Sequence, residues 1–142
     1  MFAFDTCRRW LQALGLVLAA VGLAMAAAAG TPLFDTVDRF VDPAFWGSPG
    51  PDAAARDFQA WAYGVWGATI AGWGIAVAFI AAQAFRRREA WAWHAIALGT
   101  ALWFVLDTGR SLAHGVTFNV AVNIFVLLAV AVPLLSTRRS FR

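Results

Sequence analysis

The sequence contains no lysine, and only one of its 142 residues is a cysteine. All eleven basic residues are therefore arginines. A single cysteine, Cys7, excludes a disulfide within the chain and a zinc site built from several thiolates. Because Cys7 stands beside Arg8 and Arg9 in a short polar start, we interpret it as a free thiol without a chemical role.

Charge of either sign is scarce. Charged residues make up 13% of the chain and hydrophobic residues 61%, whereas soluble domains carry about 25% charged residues. The formal net charge of +3 does not indicate nucleic-acid binding, because the arginines fall in short clusters between apolar runs. This composition predicts a single membrane domain over residues 1–142 and no nucleic-acid partner.

Motifs for catalysis are also missing from the sequence. It has no Gly-rich phosphate loop after a strand, no His-x-x-x-His or Glu-x-x-His pair and no convincing Ser-His-Asp order. We therefore expect no metal site, and we favour a non-enzymatic role over an enzymatic one.

Long apolar runs are what the chain does have. A helix needs about 20 apolar residues to cross a bilayer, and open sheets cannot satisfy their backbone in lipid. We predict an all-α integral membrane protein with four antiparallel transmembrane helices, at about residues 10–29, 60–85, 90–110 and 116–135. The first run also resembles a secretory signal, since it ends in Ala27-Ala28-Ala29, but we interpret it as the first transmembrane helix.

The segment between the first two runs is more polar. Thr31 is a candidate N-cap with Pro32 at the first helical position. The spacing of the apolar residues that follow predicts a short amphipathic helix in the first extracytoplasmic loop; they are Leu33, Val37, Phe40 and Val41. Asp52, after a Gly-Pro-rich stretch, is a candidate cap for the second transmembrane helix.

The arginines segregate to one side of this topology. Eight flank the predicted cytoplasmic ends and three do not; the eight are Arg8, Arg9, Arg86, Arg87, Arg88, Arg138, Arg139 and Arg142. The positive-inside rule then places both termini in the cytoplasm. We expect a multi-pass protein of the bacterial inner membrane.

Small residues recur at helical spacing in the first two runs, where they allow close packing of helices in lipid. The predicted packing columns are Gly15, Ala19, Gly22 and Ala26 in the first run, and Ala60, Gly64, Ala68, Gly72 and Ala76 in the second. Our first functional hypothesis is a protein that acts by helix packing, either as a homo-oligomer or as a small accessory subunit of a larger membrane complex.

Polar residues concentrate at the predicted outer ends of the third and fourth helices. They are Asp107, Arg110, Ser111, His114, Asn119 and Asn123. An ionisable residue within a membrane span indicates a functional site, so the second hypothesis is a binder or transporter of a small amphiphilic ligand. The alternative is structural: an ion pair between Asp107 and Arg110, with Asn119 as a hydrogen-bond partner, would clamp the helical hairpin.

His94 lies near the opposite end of the third helix, about 20 Å from Asp107 by helical rise. It could hydrogen-bond to Gln83 as an ordinary interface histidine. It could also ligate a haem or a chlorophyll-type pigment, which gives the third hypothesis, a pigment- or haem-binding subunit. Bis-histidine ligation is excluded, since the sequence places no second histidine at that depth.

Overall fold

A computed structural model of the chain describes residues 3–47 and 50–141. Within these two ranges every regular element is helical, which confirms the all-α prediction. The helices are α1 (Phe4–Ala28), α2 (Asp35–Phe45), α3 (Ala53–Ile80), α4 (Ala90–Ala113) and α5 (Thr117–Thr137). A π-helical turn, Ala81–Phe85, continues α3, and a 3-10 turn, Arg138–Phe141, continues α5.

Three helical segments are long and apolar enough to cross a membrane. They are α1, α3 with its π-turn, and α5 with its 3-10 turn. Helix α4 has 24 residues but carries His94, Asp107 and Arg110, and it is not one of the three. The described chain therefore has three helices with the composition of membrane spans and a fourth long helix that is more polar.

Helix α1 begins at Phe4, well before the predicted start near residue 10. The early start has a packing reason. The ring of Phe4 stacks on that of Phe85 with centroids 5.6 Å apart, while Cys7 and Leu11 at helical spacing are buried. These contacts stabilise the first turns of the helix even though Arg8 and Arg9 interrupt the apolar run.

The predicted start of the amphipathic helix is wrong. Thr31 does not cap it: its hydroxyl donates to the carbonyl of Ala28 at 2.7 Å in the turn that follows α1. Helix α2 begins only at Asp35, after Pro32 and Phe34 have completed that turn. The prediction for Asp52 is confirmed, because its Oδ1 accepts a hydrogen bond of 2.8 Å from the backbone N–H of Ala55.

Helices α1 and α3 pack so closely that their backbones touch. A Cβ atom added at Gly15 would lie 2.6 Å from the backbone nitrogen of Ala78, and one added at Gly74 would lie 2.5 Å from that of Ala19. Only glycine fits at such positions without moving a helix. Gly15 and Gly22, both predicted to be packing residues, lie in this α1–α3 interface.

The face that α3 presents to α1 differs from the predicted column. It consists of Gly67, Ala71, Gly74 and Ala78, whereas a Cβ at Gly64 or Gly72 would meet nothing within 4 Å, and Ala68 is exposed. The reason is geometric. In the predicted column the residues are always four apart, so each one is rotated by about 40° around the helix from the one before. The observed residues alternate between spacings of four and three, which keeps them on one face.

Two ends of the bundle have different character. At one end the ring of Phe85 lies 4.5 Å from that of Phe141, which brings the α3–α4 turn and the chain terminus together with the start of α1. We call this the arginine-rich end; it holds Arg8, Arg9, Arg86, Arg87, Arg88, Arg138 and Arg139. The opposite end includes α2 and the turn at Gly115. We call it the acidic end; it holds Asp35, Asp38, Asp42, Asp52 and Asp57.

Helix α2 lies across the acidic end and contacts both halves of the bundle. Phe34, just before it, packs on Tyr63 of α3 with ring centroids 5.3 Å apart. On the other side Phe40 stacks on Phe118 of α5 at 4.8 Å. Aromatic contacts therefore connect the α1–α3 pair to the α4–α5 hairpin through α2.

Candidate functional site

Asp107 is the centre of a hydrogen-bond network between α4 and α5. Its Oδ1 accepts from Nδ2 of Asn119 at 2.6 Å and from Nδ2 of Asn123 at 2.8 Å. The hydroxyl of Ser111 adds a third, longer contact to the same oxygen at 3.3 Å. The two asparagines are four residues apart, so one face of α5 presents both amides to one carboxylate.

The neighbouring hydroxyls complete the network. Ser111 donates to the backbone carbonyl of Asp107 at 2.8 Å and accepts from Asn119 at 2.8 Å. Thr108, which the sequence reasoning missed, accepts from Asn123 at 3.1 Å. Asn123 is 2% exposed, so its amide depends on these partners for its hydrogen bonds. The signal for Thr108 was its position next to Asp107 in the chain.

Arg110 and His114, which were predicted to belong to this cluster, lie outside it. Both are exposed, and Nη2 of Arg110 lies 3.2 Å from Nε2 of His114. The imidazole also packs on Phe45 of α2 at 5.3 Å. The expected ion pair between Asp107 and Arg110 does not occur, because Arg110 instead reaches the residue one helical turn further on.

The predicted polar cluster thus divides into two parts. Asp107, Ser111, Asn119 and Asn123 form a partly buried network that joins two helices. Arg110 and His114 form an exposed pair at the α2 contact. Amide-to-carboxylate hydrogen bonds are charge-assisted and strong, so the buried part stabilises the hairpin whatever else it does.

Two polar groups near this network could form further hydrogen bonds. The hydrogen bonds to the Asp107 carboxylate all end on Oδ1, which leaves Oδ2 without a donor from the described residues. Two turns earlier on α4, Thr100 is only 3% exposed. Its buried hydroxyl nevertheless has no hydrogen-bond partner within the described chain. Between them lies Trp103, whose ring is 5.9 Å from that of Trp73 on α3.

His94 is exposed on α4, and its Nδ1 lies 2.8 Å from the backbone carbonyl of Ala90. The expected hydrogen bond to Gln83 is not formed, because the histidine turns back to its own helix. With Nδ1 donating to a carbonyl, the outward Nε2 of a neutral imidazole carries the lone pair that a metal or pigment would use. Among residues 3–47 and 50–141, no group of three His, Cys, Asp or Glu side chains could hold a metal ion.

A second polar cluster, which the sequence reasoning did not identify, attaches α2 to α3. Nε2 of Gln59 donates to Asp38 at 3.1 Å, to Asp42 at 2.8 Å and towards the Tyr63 hydroxyl at 2.9 Å. Burial, and next the charge of Asp42, raise the pKa of the Asp38 carboxyl. Two carboxylates therefore share one amide donor at the acidic end.

No family model matches the chain, and no curated protein or solved structure is significantly similar to it.

Proposed function

We propose that the chain is an integral protein of the bacterial inner membrane with four antiparallel spans and both termini in the cytoplasm. Three helices already have the length and composition of spans, and α4 is paired with one of them, α5, through the Asp107 network. The convergence of arginines at one end supports the orientation, since positive charge is retained on the cytoplasmic side.

Site-directed labelling tests this topology. In a Cys7→Ser background, Gly47→Cys and Ser140→Cys place single thiols at the acidic and arginine-rich ends. We expect a membrane-impermeant maleimide to label Gly47→Cys in intact cells and Ser140→Cys only after lysis. Labelling of Ser140→Cys in intact cells would contradict the orientation.

We further propose that the protein acts by helix packing, as a homo-oligomer or as an accessory subunit of a larger membrane complex. The supporting observation is the open face of α3. A Cβ atom added at Gly64 or Gly72 would meet nothing within 4 Å, and Ala68 between them is exposed. Trp61 and Phe79, which precede and follow this stretch along α3, are 63% and 64% exposed. A groove of small residues between large ones is the surface that a second transmembrane helix fits.

Gly72→Leu tests that interface, because it fills the groove without touching the α1–α3 interface. We expect a smaller particle in mild detergent, by light scattering coupled to size exclusion. Gly109→Leu is the matched control: Gly109 is also an exposed helical glycine with nothing within 4 Å, but it lies on α4. An oligomer size that Gly72→Leu leaves unchanged would count against packing through α3.

A second candidate function, the binding or transport of a small amphiphile, has its own supporting observation. The free Oδ2 of Asp107 and the partnerless Thr100 hydroxyl lie two helical turns apart beside the Trp73–Trp103 pair. A carboxylate oxygen at one end of an aromatic and apolar surface fits an alkylammonium-type ligand, whose charge it would pair and whose chain it would cover.

Asp107→Asn separates the two roles of this residue. An asparagine keeps an oxygen that accepts from Asn119 and Asn123, so the hairpin remains intact, but it removes the charge. We expect dodecylamine to shift the tryptophan emission of the wild type and to lose that effect in Asp107→Asn, whose melting temperature should fall less than that of Asp107→Leu because the two acceptor bonds remain. An equal emission shift in both proteins would exclude a ligand site at Asp107.

A further inference from the structure

A proline inside α5 creates an unpaired carbonyl that another helix satisfies. Pro133 has no backbone N–H, so the carbonyl of Ala129, four residues earlier, loses its usual partner. Nε1 of Trp10 on α1 donates to that carbonyl at 2.9 Å. Because an unpaired carbonyl is costly in lipid, this bond fixes α1 against α5 at a defined height.

Beside this bond an open groove of about 300 Å³ lies between α1 and α5. It is lined from α1 by Thr6, Cys7 and Trp10, and from α5 by Leu128, Val132 and Pro133. No charged side chain lines it, and the indole N–H is already engaged by Ala129. The volume is at the lower limit of small-ligand sites, and the lining suits an alkyl chain.

Positive charge lies at one end of the groove. Phe141 packs on Phe4 with ring centroids 5.9 Å apart, which places the 3-10 turn beside the first turn of α1. Arg139 in that turn follows Val132 by seven residues, so it lies beyond the Val132–Pro133 end of the groove along the chain, outside the lining residues. Arg139 is exposed, and the ion pairs of the described chain involve Arg8 and Arg87 instead.

We propose that this groove binds an anionic phospholipid, with one acyl chain between α1 and α5 and the phosphate at Arg139. The site rests on the proposed function in one respect: α1 and α5 must cross the bilayer with the arginine-rich end at a headgroup layer. A partner helix is a poorer occupant, because the groove extends over little more than one turn of α1, from Thr6 to Trp10.

Quenching by brominated lipids tests the proposal in nanodiscs. The signal of Trp10 is obtained as the difference between wild type and Trp10→Phe. We expect phosphatidylglycerol with brominated acyl chains to quench it at a lower mole fraction than brominated phosphatidylcholine does. Val132→Phe, at a position that is 49% exposed, adds volume inside the groove and should weaken the quenching by both lipids.

Arg139→Gln addresses the headgroup. One arginine near a membrane surface contributes an attraction that corresponds to roughly a fivefold change in affinity. Arg139→Gln should therefore raise the mole fraction of phosphatidylglycerol needed for half-quenching about fivefold relative to wild type. Arg86→Gln is the control, since Arg86 is an exposed arginine of the same end that lies in the α3–α4 turn and not on the continuation of α5.

The possible failures are distinguishable. Equal quenching of Trp10 by the two lipids, or equal effects of Arg139→Gln and Arg86→Gln, would overturn the anionic-lipid site. Quenching that reaches other tryptophans but spares Trp10 would overturn the groove as its location. If no tryptophan responded to any brominated lipid, the proposed membrane insertion itself would be wrong.

Discussion

At the arginine-rich end, α1, α4 and α5 meet the π-turn around fully buried apolar side chains such as Leu11 and Phe85, which are 0% exposed. The acidic end has no comparable apolar cluster among the described residues. It is held by the Asp107 and Gln59 networks and by ring contacts such as Phe40–Phe118. One end thus depends on packing and the other on directional polar contacts.

If the helices cross a membrane as proposed, the packed end needs a tight fit and satisfied carbonyls. Trp10 and Trp93 meet the second requirement, since their indoles donate to the α5 carbonyls of Ala129 and Leu134, each at 2.9 Å. The acidic end is covered by α2, which contacts α3 through Gln59 and α5 through Phe118.

The largest expected effect is a difference in stability between two phenylalanine substitutions, one at each end. Phe85→Ala should lower the free energy of unfolding in detergent by about 3–5 kcal/mol, because it leaves a cavity in the packed core. Phe118→Ala should cost far less, since Phe118 is 39% exposed and stacks only on Phe40 of α2. Titration with a denaturing detergent measures both, and similar losses would show that the two ends are equally packed.

The next largest effect is expected at the Asp107 network. Asp107→Leu removes the acceptor that the amides of Asn119 and Asn123 share, although each amide keeps a second partner, Ser111 or Thr108. Each N–H left without an acceptor costs about 1–3 kcal/mol. Thr100→Val is the contrasting substitution on the same helix. The Thr100 hydroxyl has no hydrogen-bond partner among the described residues, so its removal should leave the stability unchanged or raise it. Melting temperatures of both variants provide the measurement. A stable Asp107→Leu would mean that the network contributes little to the hairpin.

Much of this architecture follows from counting along the chain. The depth of Asn119 and Asn123 relative to Asp107 could be predicted from helical rise alone, because the turn at Gly115 is short. The cap at Asp52 could be predicted from local chemistry. Both depend on neighbours in sequence, for which spacing is sufficient.

Contacts that depend on the rotation of one helix about its axis could not be derived in this way. Arg110 can reach either Asp107 or His114, at three and four residues, and spacing does not choose between them. Similarly, α3 offers two columns of small residues, and the column with 4-3-4 spacing is the one that packs on α1. Pro133 reveals the unpaired carbonyl of Ala129, but not that Trp10 would satisfy it.

A smaller effect should appear at the acidic end when pH is varied. The folded pKa of Asp38 is raised above 3.8 by burial and by Asp42, so the folded chain holds this proton more tightly than the unfolded chain does. The contribution is complete below pH 3.8 and is lost as pH rises through the folded pKa. Hydrogen exchange of α2 amides, corrected for intrinsic rates, should show protection that falls with rising pH. Asp38→Asn should remove this dependence, and a dependence that persists would implicate another group.

The smallest expected effect is that of His94, which is exposed and bonds only to its own helix through Ala90. Its loss in His94→Ala should leave the melting temperature almost unchanged, because an exposed hydrogen bond for which water competes contributes little. The absorption spectrum of protein purified from its native membrane is the sharper measurement. We expect no visible band. A band that is present in the wild type and missing in His94→Ala would instead assign a pigment to the outward Nε2, and would make α4 the functional helix of the arginine-rich end.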